Sequence, residues 1–232
     1  VFVGPRVPAS PTDVVLAETL EDGIVSLTWT PVTGDGHGNY VNPEMVYYDV
    51  HMLDKTGERT LISEDAESGI EFEASMREQT MVLAALRATT DAGQSAEVFS
   101  DVIIAGPAYD APFSESFSNT TIHYPMLTRT VEGEAEWYIM GESPDVPSQD
   151  DDNGYLMMMS DAGASAEIIT GKINLNDIPN PCLSFHTYNI ARMAGYPHEN
   201  ELVVEVRTPG GEFKEMRRVV MSQLGDEEGW YR

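Results

Sequence analysis

The chain has a single cysteine, Cys182, among its 232 residues. One thiol can form neither an internal disulfide nor a cysteine-based zinc site, so the small disulfide-stapled extracellular modules are excluded. Secretion is not excluded, because a chain of this length can bury a core without disulfides. Apolar runs stay well short of the roughly 18 residues that a membrane-spanning helix needs. We therefore expect no membrane insertion by this segment.

Positive charge is also scarce. The chain has 13 Lys and Arg against 39 Asp and Glu, a formal net charge of −26. Such a surface repels phosphate backbones, so we expect no nucleic-acid partner. The acidic residues are scattered along the chain, and most of them are expected to lie on a solvated outer surface.

Helical periodicity over three turns is absent as well. Short runs rich in Val, Ile, Thr, Tyr and Phe alternate instead with turn clusters such as residues 33–36 and 208–211. This pattern predicts an all-β fold. The length fits two ordinary domains or one large β-sandwich.

A short repeat favours two domains. Residues 1–5, Val-Phe-Val-Gly-Pro, are matched by residues 103–107, Ile-Ile-Ala-Gly-Pro. A strand that ends twice in Gly-Pro indicates the last strands of two successive domains, with coincidence as the alternative. We predict the end of a preceding domain or a linker at 1–7, a first domain at 8–105, a linker at 106–112 and a second domain at 113–232.

The signals between residues 8 and 105 follow a specific order. They are the paired prolines Pro8 and Pro11, the alternating Val25, Leu27 and Trp29, then Tyr48 and Val50, and finally Ala88 followed by Gly93, Gln94 and Ser95. This order resembles the fibronectin type III pattern and implies a β-sandwich with Trp29 buried at its centre. The family usually has a tyrosine six residues before Ala88, where this chain has Val82. The resemblance thus implies that the tyrosine's hydrogen bond to backbone is lost or replaced by packing.

The second half carries a different order of signals. They are Glu115-Ser116-Phe117, Trp137, Gly154-Tyr155-Leu156, the segment 181–185 (Pro-Cys-Leu-Ser-Phe), the alternating 202–206, Gly210-Gly211 and Trp230. This order resembles the MAM-like jelly rolls, in particular the bacterial choice-of-anchor J or cleaved adhesin domains of secreted surface proteins. The resemblance implies a jelly-roll β-sandwich with Phe117 and Phe185 buried. A jelly roll has about eight strands and seven can be placed, so we expect a C-terminally truncated domain of a longer multidomain chain.

The most specific candidate site is the acidic loop that runs from Asp150 to Gly154. Ca²⁺ takes six to eight oxygen ligands, which closely spaced Asp and Asn side chains can supply, and Gly154 would permit a sharp bend. In MAM-like domains a structural cation commonly lies where the glutamate of the first strand approaches such a loop. The resemblance therefore implies bound Ca²⁺ with the ligands Glu115, Asp150, Asp152 and Asn153. A solvated acidic loop is the alternative.

Cys182 and His186 alternate with apolar residues, which places them on one face of a predicted strand. Residues four apart on a strand are roughly 13 Å apart, too far for a Cys–His nucleophile pair. We expect Cys182 to be buried and unreactive.

Catalytic motifs are missing too: there is no Gly-x-Ser-x-Gly, no His-Glu-x-x-His and no phosphate-binding glycine loop. We therefore expect no enzymatic activity and assign no catalytic residue. The chain is predicted to be a non-catalytic adhesion or protein-interaction segment of a larger secreted or cell-surface protein, located outside the cell. Its partner would be a host or cell-surface protein or glycan. The alternative is a carbohydrate-binding accessory region of a secreted hydrolase whose catalytic domain lies elsewhere.

Overall fold

The computed structural model describes residues 6–143, 146–149, 153–189, 200–208, 211–225 and 227–232. Within these ranges the regular structure consists of β-strands and three 3-10 turns, at Pro43–Met45, Ser118–Thr120 and Met221–Gln223. The predicted all-β fold class is confirmed. The chain divides into two compact units: the first contains residues 1–109, 125–127 and 169–172, and the second contains residues 110–124, 128–168 and 173–232.

The first unit is a sandwich of two antiparallel sheets. Its strands are β1 (Thr12–Glu18), β2 (Ile24–Thr30), β3 (Tyr47–Asp54), β4 (Arg59–Ser63), β5 (Ile70–Glu73), β6 (Thr80–Thr90), β7 (Gly93–Gln94), β8 (Val98–Phe99) and β9 (Ile103–Ala105). One sheet has the order β1-β2-β5, and the other has the order β4-β3-β6, with β7, β8 and β9 all paired to β6. Two packed antiparallel sheets are the architecture that the fibronectin type III resemblance implies.

The core of this sandwich follows the alternation of the sequence. On β2 the predicted inward residues Val25, Leu27 and Trp29 are all buried, and β3 contributes Tyr48 and Val50 from the facing sheet. Burying each such side chain stabilises the fold by about 1.5–3 kcal/mol. The predicted burial of Trp29 is confirmed.

Tyr48 supplies a tyrosine-to-backbone bond in this unit. Its hydroxyl accepts a hydrogen bond of 2.7 Å from the N–H of Val32, and its ring packs on Trp29 with the centroids 5.1 Å apart. Val82, at the position where a tyrosine was expected, is buried in the core. Packing replaces the tyrosine there, and a different strand provides a hydroxyl bond to the backbone.

Residues 169–172 belong to the first unit through the buried side chain of Gln79. Its amide donates to the carbonyl of Lys172 at 2.8 Å and accepts from the N–H of Lys172 at 2.6 Å. The ammonium group of Lys172 also lies 2.9 Å from Glu18 and 2.8 Å from Asp22. These bonds satisfy the amide of Gln79 inside the fold, where an unpaired polar group would be costly.

The later strands pair two by two. They are β10 (Tyr109–Asp110), β11 (Met126–Glu132), β12 (Ala135–Met140), β13 (Tyr155–Ser160), β14 (Ser165–Thr170), β15 (Ile173–Asn174), β16 (Thr187–Asn189), β17 (Glu201–Val206), β18 (Lys214–Val220) and β19 (Gly229–Tyr231). The pairs are β10-β15, β11-β14, β12-β13, β16-β19 and β17-β18. Trp137, Tyr155 and the alternating segment 202–206, which were among the signals of this half, all lie on strands.

An aromatic contact lies at the centre of the second unit. Trp230 packs edge-on against Tyr155 and Tyr188, with centroid distances of 6.3 and 5.1 Å. Its indole N–H donates to the carbonyl of Pro147 at 2.9 Å. Trp230 thus joins β13 and β19 and ties the segment at Pro147 to them.

Two strands predicted for this half do not form. The segment 113–117 is a loop, and Phe117 has a left-handed backbone (φ 59°) that cannot continue a strand. Residues 181–186 are likewise outside any strand, because Pro179 and Pro181 lack backbone donors and Asn180 between them is left-handed (φ 56°).

The predicted burial fails at the same places. Cys182 is exposed, Phe185 is 36% exposed, and Phe117 is half-buried rather than buried. Within the described ranges no strand pairs with residues 181–185, so the alternation of this segment does not sort its side chains into a buried and an exposed face. The expected burial of Cys182 is therefore wrong, and its expected lack of reactivity stays a prediction that exposure does not favour.

Candidate functional site

Glu115 organises a loop in the second unit. Its side chain is 4% exposed, and its two oxygens accept four hydrogen bonds. The backbone N–H groups of Phe117 and His123 donate at 2.8 Å each, the N–H of Tyr124 donates at 3.2 Å, and Nδ1 of His123 lies 2.8 Å from Oε1. A carboxylate has about four lone-pair positions, so Glu115 is saturated by its own loop.

The ionised form of Glu115 is favoured by this loop. Burial works against the charge, but the hydrogen bonds from the His123 ring and from the Phe117 and His123 N–H groups outweigh it and hold the pKa of Glu115 below its ordinary value. The carboxylate therefore stays charged and keeps the segment from Phe117 to Tyr124 closed upon it.

The imidazole of His123 is held at both nitrogens. Nδ1 faces Glu115, and Nε2 lies 3.2 Å from Oγ of Ser118. Ser118 starts a 3-10 turn that follows left-handed Phe117 and contains left-handed Asn119 and Thr120. A serine, a histidine and a glutamate thus form one hydrogen-bonded chain, with 43% of the His123 side chain exposed.

Gly154 closes this loop from the neighbouring strand. A Cβ at position 154 would lie 1.8 Å from the carbonyl oxygen of Phe117, so this contact requires glycine. The left-handed residue here is Asn153 (φ 60°), not Gly154. The glycine is needed for a close approach and not, as expected, for a sharp bend.

The predicted calcium ligands are only partly within the described ranges. Asp150 and Asp152 lie outside them. The side-chain carbonyl of Asn153 accepts a 2.8 Å hydrogen bond from the N–H of Glu142, and Glu115 is occupied as above. Among the residues that the structure describes, no three His, Cys, Asp or Glu side chains gather in a metal-binding group. Calcium binding stays a prediction, and an ion that used Glu115 would have to displace one of the four donors that this carboxylate already holds.

A second candidate site lies on the first unit, on the side of sheet β4-β3-β6-β8 that faces away from the core. We call it the outer face. A row of cross-strand neighbours, Leu61, His51, Ala85 and Phe99, crosses all four strands. Leu61 and Phe99 are 49% and 54% exposed, and Tyr47, on the same side of β3, is 46% exposed.

Charged side chains border this outer face. Glu97 pairs with Arg59 at 2.5 Å and approaches Arg87 to 3.6 Å. Asp49 is the cross-strand neighbour of Arg87. Two arginines and two acids balance here, although the chain as a whole carries a net charge of −26.

Sequence reasoning did not identify the outer face. The alternation on β3 predicts its inward residues Tyr48 and Val50, whereas nothing in the sequence around Tyr47 distinguishes it from an ordinary surface tyrosine. The available signal was Leu61 beside Ile62 on the edge strand β4. Ile62 packs against the core, and the solvent-facing residues of an edge strand are normally polar.

Comparisons with known proteins give limited information. No family model matches the chain, and no curated protein does. Among solved structures, the FN1–FN3 domains of chicken CNTN1 match with 9% identity and a TM-score of 0.38, over 94% of this chain and 68% of that chain. The chicken interferon gamma receptor alpha chain matches with 11% identity and a TM-score of 0.29, over 70% of this chain and 82% of that chain. Both TM-scores are low, so neither likeness bears on the function of this chain.

The structure also bears on membrane insertion. None of the helices in the described ranges is long and apolar enough to cross a bilayer.

Proposed function

We propose that this chain is a binding segment of a larger secreted or cell-surface protein, and that it contacts a partner protein through the outer face of the first unit. The observation that carries this proposal is the exposure of Tyr47, Leu61 and Phe99 on one side of one sheet. Single exposed apolar residues are ordinary on protein surfaces, whereas several on one rigid face are typical of an interaction site.

The composition of the outer face supports a protein partner. Tyrosine, phenylalanine and arginine are enriched in protein–protein interfaces, and energetic hot spots concentrate in tyrosine and arginine among others. Here Tyr47 and Phe99 lie on the same face as Arg59 and Arg87. A sheet also holds these side chains in place, so little conformational freedom is lost when a partner binds.

The charge balance of the outer face points the same way. The net charge of −26 makes the chain as a whole repel other acidic proteins. On the outer face Arg59 and Arg87 offset Glu97 and Asp49, so the approach of a neutral or acidic protein is not opposed locally. An acidic or neutral partner therefore meets less repulsion here than the net charge of the chain implies.

The second unit, under this proposal, is a MAM-like jelly roll of the bacterial adhesin type, and the whole segment lies outside the cell. The order of the strands around Trp137, Tyr155 and Leu202 supports this assignment, as does the packing of Trp230 on Tyr155. The alternative, a carbohydrate-binding accessory region, is an outcome of the following test.

The test compares wild type with a Leu61→Ser, Phe99→Ser double variant against a panel of purified extracellular proteins and a glycan array. Val15→Ser is the matched control, because Val15 is 53% exposed on the opposite sheet. We expect at least one protein to bind, with affinity reduced about 30-fold or more in the double variant and unchanged in the control. Binding to one sugar class without any protein, or protein binding that the double variant retains, would reject the outer face as the contact surface.

A further inference from the structure

We propose that Ser118, His123 and Glu115 form a nucleophilic serine site that accepts acyl groups from short, exposed esters. This site is independent of the outer face. It rests on the two distances that define the hydrogen-bonded chain, 3.2 Å from Ser118 Oγ to His123 Nε2 and 2.8 Å from His123 Nδ1 to Glu115 Oε1. Serine nucleophiles are recognised by this geometry and these roles rather than by sequence order.

Glu115 fixes the tautomer of His123. A carboxylate can only accept, so the proton of a neutral His123 lies on Nδ1, between the ring and Glu115. The same carboxylate also accepts the backbone N–H of His123 at 2.8 Å. Ring and backbone of one histidine are thereby held by one buried group, and the lone pair of Nε2 is directed at Ser118.

The loop gives Ser118 the access that such a reaction needs. Ser118 is half-buried, and 43% of the His123 side chain is exposed, so an ester can reach both groups from solvent. The residues on either side of Ser118, Phe117 and Asn119, both have left-handed backbones, so the chain bends sharply at the serine. An open surface site of this kind fits a short acyl group better than a long chain.

The reaction balances as an acyl transfer. Ser118 Oγ forms a bond to the ester carbonyl carbon while its proton passes to Nε2 of His123. The carbonyl re-forms as the bond to the alcohol oxygen breaks, and the alcohol leaves with the proton from Nε2. Water then attacks the acyl-serine by the same route, which releases the carboxylic acid and restores Ser118.

The test uses the whole chain in EDTA, since the chelator removes any divalent ion that would compete for Glu115. A fluorophosphonate probe is added, and the modified peptide is identified by mass spectrometry; p-nitrophenyl acetate gives the acylation rate. We expect a single adduct, on Ser118. Ser118→Ala should form no adduct, and the matched control Ser116→Ala should be labelled on Ser118 as fast as wild type. Loss of the general base in His123→Ala should slow labelling about 100-fold.

Three outcomes would overturn the proposal. One is an adduct on another residue, and the second is labelling of the native chain no faster than of the chain unfolded in urea. The third is undiminished labelling of His123→Ala with retained secondary structure by circular dichroism, which would show that the ring does not activate the serine.

Discussion

The carbonyl oxygen of Phe117 faces Gly154 so closely that a methyl group at position 154 would lie 1.8 Å from it. The loop that carries Glu115, Ser118 and His123 is therefore positioned by a contact that tolerates no side chain. We expect Gly154→Ala to force the two segments apart and to lower the stability of the second unit by about 1–3 kcal/mol, as overpacking does.

Urea unfolding followed by Trp137 and Trp230 fluorescence in a Trp29→Phe background checks this expectation. Gly36→Ala is the matched control, because nothing lies within 4 Å of a Cβ at position 36 and Gly36 has no left-handed φ. Equal unfolding midpoints for Gly154→Ala and wild type would show that the loop moves away freely.

The bond between the hydroxyl of Tyr48 and the N–H of Val32 gives a second prediction. Tyr48→Phe keeps the ring against Trp29 but leaves a buried backbone donor without its acceptor, at a cost of about 1–3 kcal/mol. Tyr47→Phe is the control one residue away. Because Tyr47 is exposed, this variant should unfold as wild type does. The free energy of unfolding of the first unit, from Trp29 fluorescence in a Trp137→Phe, Trp230→Phe background, distinguishes the two. A Tyr48→Phe variant as stable as Tyr47→Phe would contradict the structural role of this bond.

The acid sensitivity of the first unit should depend on Asp35. Its carboxylate accepts hydrogen bonds of 2.9 Å each from the N–H groups of Asn39 and His37 and from the Arg6 guanidinium. The bond from Asn39 foremost, with those from His37 and Arg6, holds the pKa of Asp35 well below its ordinary value. A depressed pKa means that the stabilisation is present above the unfolded pKa of about 3.9 and is lost as the pH falls through the folded pKa.

We therefore expect the urea midpoint of the first unit to fall between about pH 5 and pH 2. In Asp35→Asn the urea midpoint should be lower than that of wild type at pH 5, and it should fall less as the pH decreases. Asp91→Asn removes an exposed acid from the same unit and should keep the wild-type slope. If the urea midpoint falls with pH in parallel for Asp35→Asn and wild type, Asp35 is not the cause of the acid sensitivity.

Cys182 should react readily in the native protein. It is exposed, and the bond of its thiol to the carbonyl of Leu183 spans 3.7 Å. We expect one equivalent of a thiol reagent such as Ellman's reagent to react at a rate close to that of the urea-unfolded chain, with Cys182→Ser unreactive. Protection of more than about tenfold in the native state would restore the original prediction of a buried thiol.

Trp29 and Cys182 show when the alternation of the sequence predicts burial and when it does not. Trp29 lies on a strand with partners on both sides, so its two-residue alternation with Leu27 correctly predicted which side is buried. The segment 181–185 alternates equally well, but it begins at Pro181, follows Pro179 and left-handed Asn180, and pairs with no strand in the described part of the chain. Alternation predicts burial only where a ladder forms, and ladder formation depends on contacts distant in the chain.

The candidate sites were predictable to different degrees. Glu115 was singled out, but its role as a loop anchor depends on donors from Phe117, His123 and Tyr124 that meet it only because Phe117 turns left-handed. The five-residue spacing of Ser118 and His123 matches no motif. The outer face depends on strand order, which places Leu61 and Phe99 in one row although 38 residues separate them.

The last prediction concerns Ca²⁺. Consecutive aspartates at 150–152 repel one another, and a divalent ion would turn that repulsion into attraction. An ion that binds only the folded state stabilises it by about 2.7 kcal/mol at a hundredfold excess over Kd. We expect the unfolding temperature of the second unit to rise with Ca²⁺ relative to chelator, at constant ionic strength because the charge of −26 attracts any cation. The rise should disappear in Asp152→Ala and persist in Asp161→Ala, an acid of the same unit outside the loop.

Serine labelling then shows whether Glu115 is one of the ligands. Its two oxygens already hold four donors, so Ca²⁺ can use this carboxylate only by displacing one of them, and the ring of His123 is the one side-chain donor among the four. We expect that ring to be released. That release would remove the group that orients Nε2 toward Ser118, and millimolar Ca²⁺ should therefore slow fluorophosphonate labelling of Ser118 as it raises the unfolding temperature. A rise in unfolding temperature with unchanged labelling would confine the ion to the acidic loop. Identical melting in Ca²⁺ and in chelator, for wild type and Asp152→Ala alike, would mean that residues 150–153 form a solvated turn.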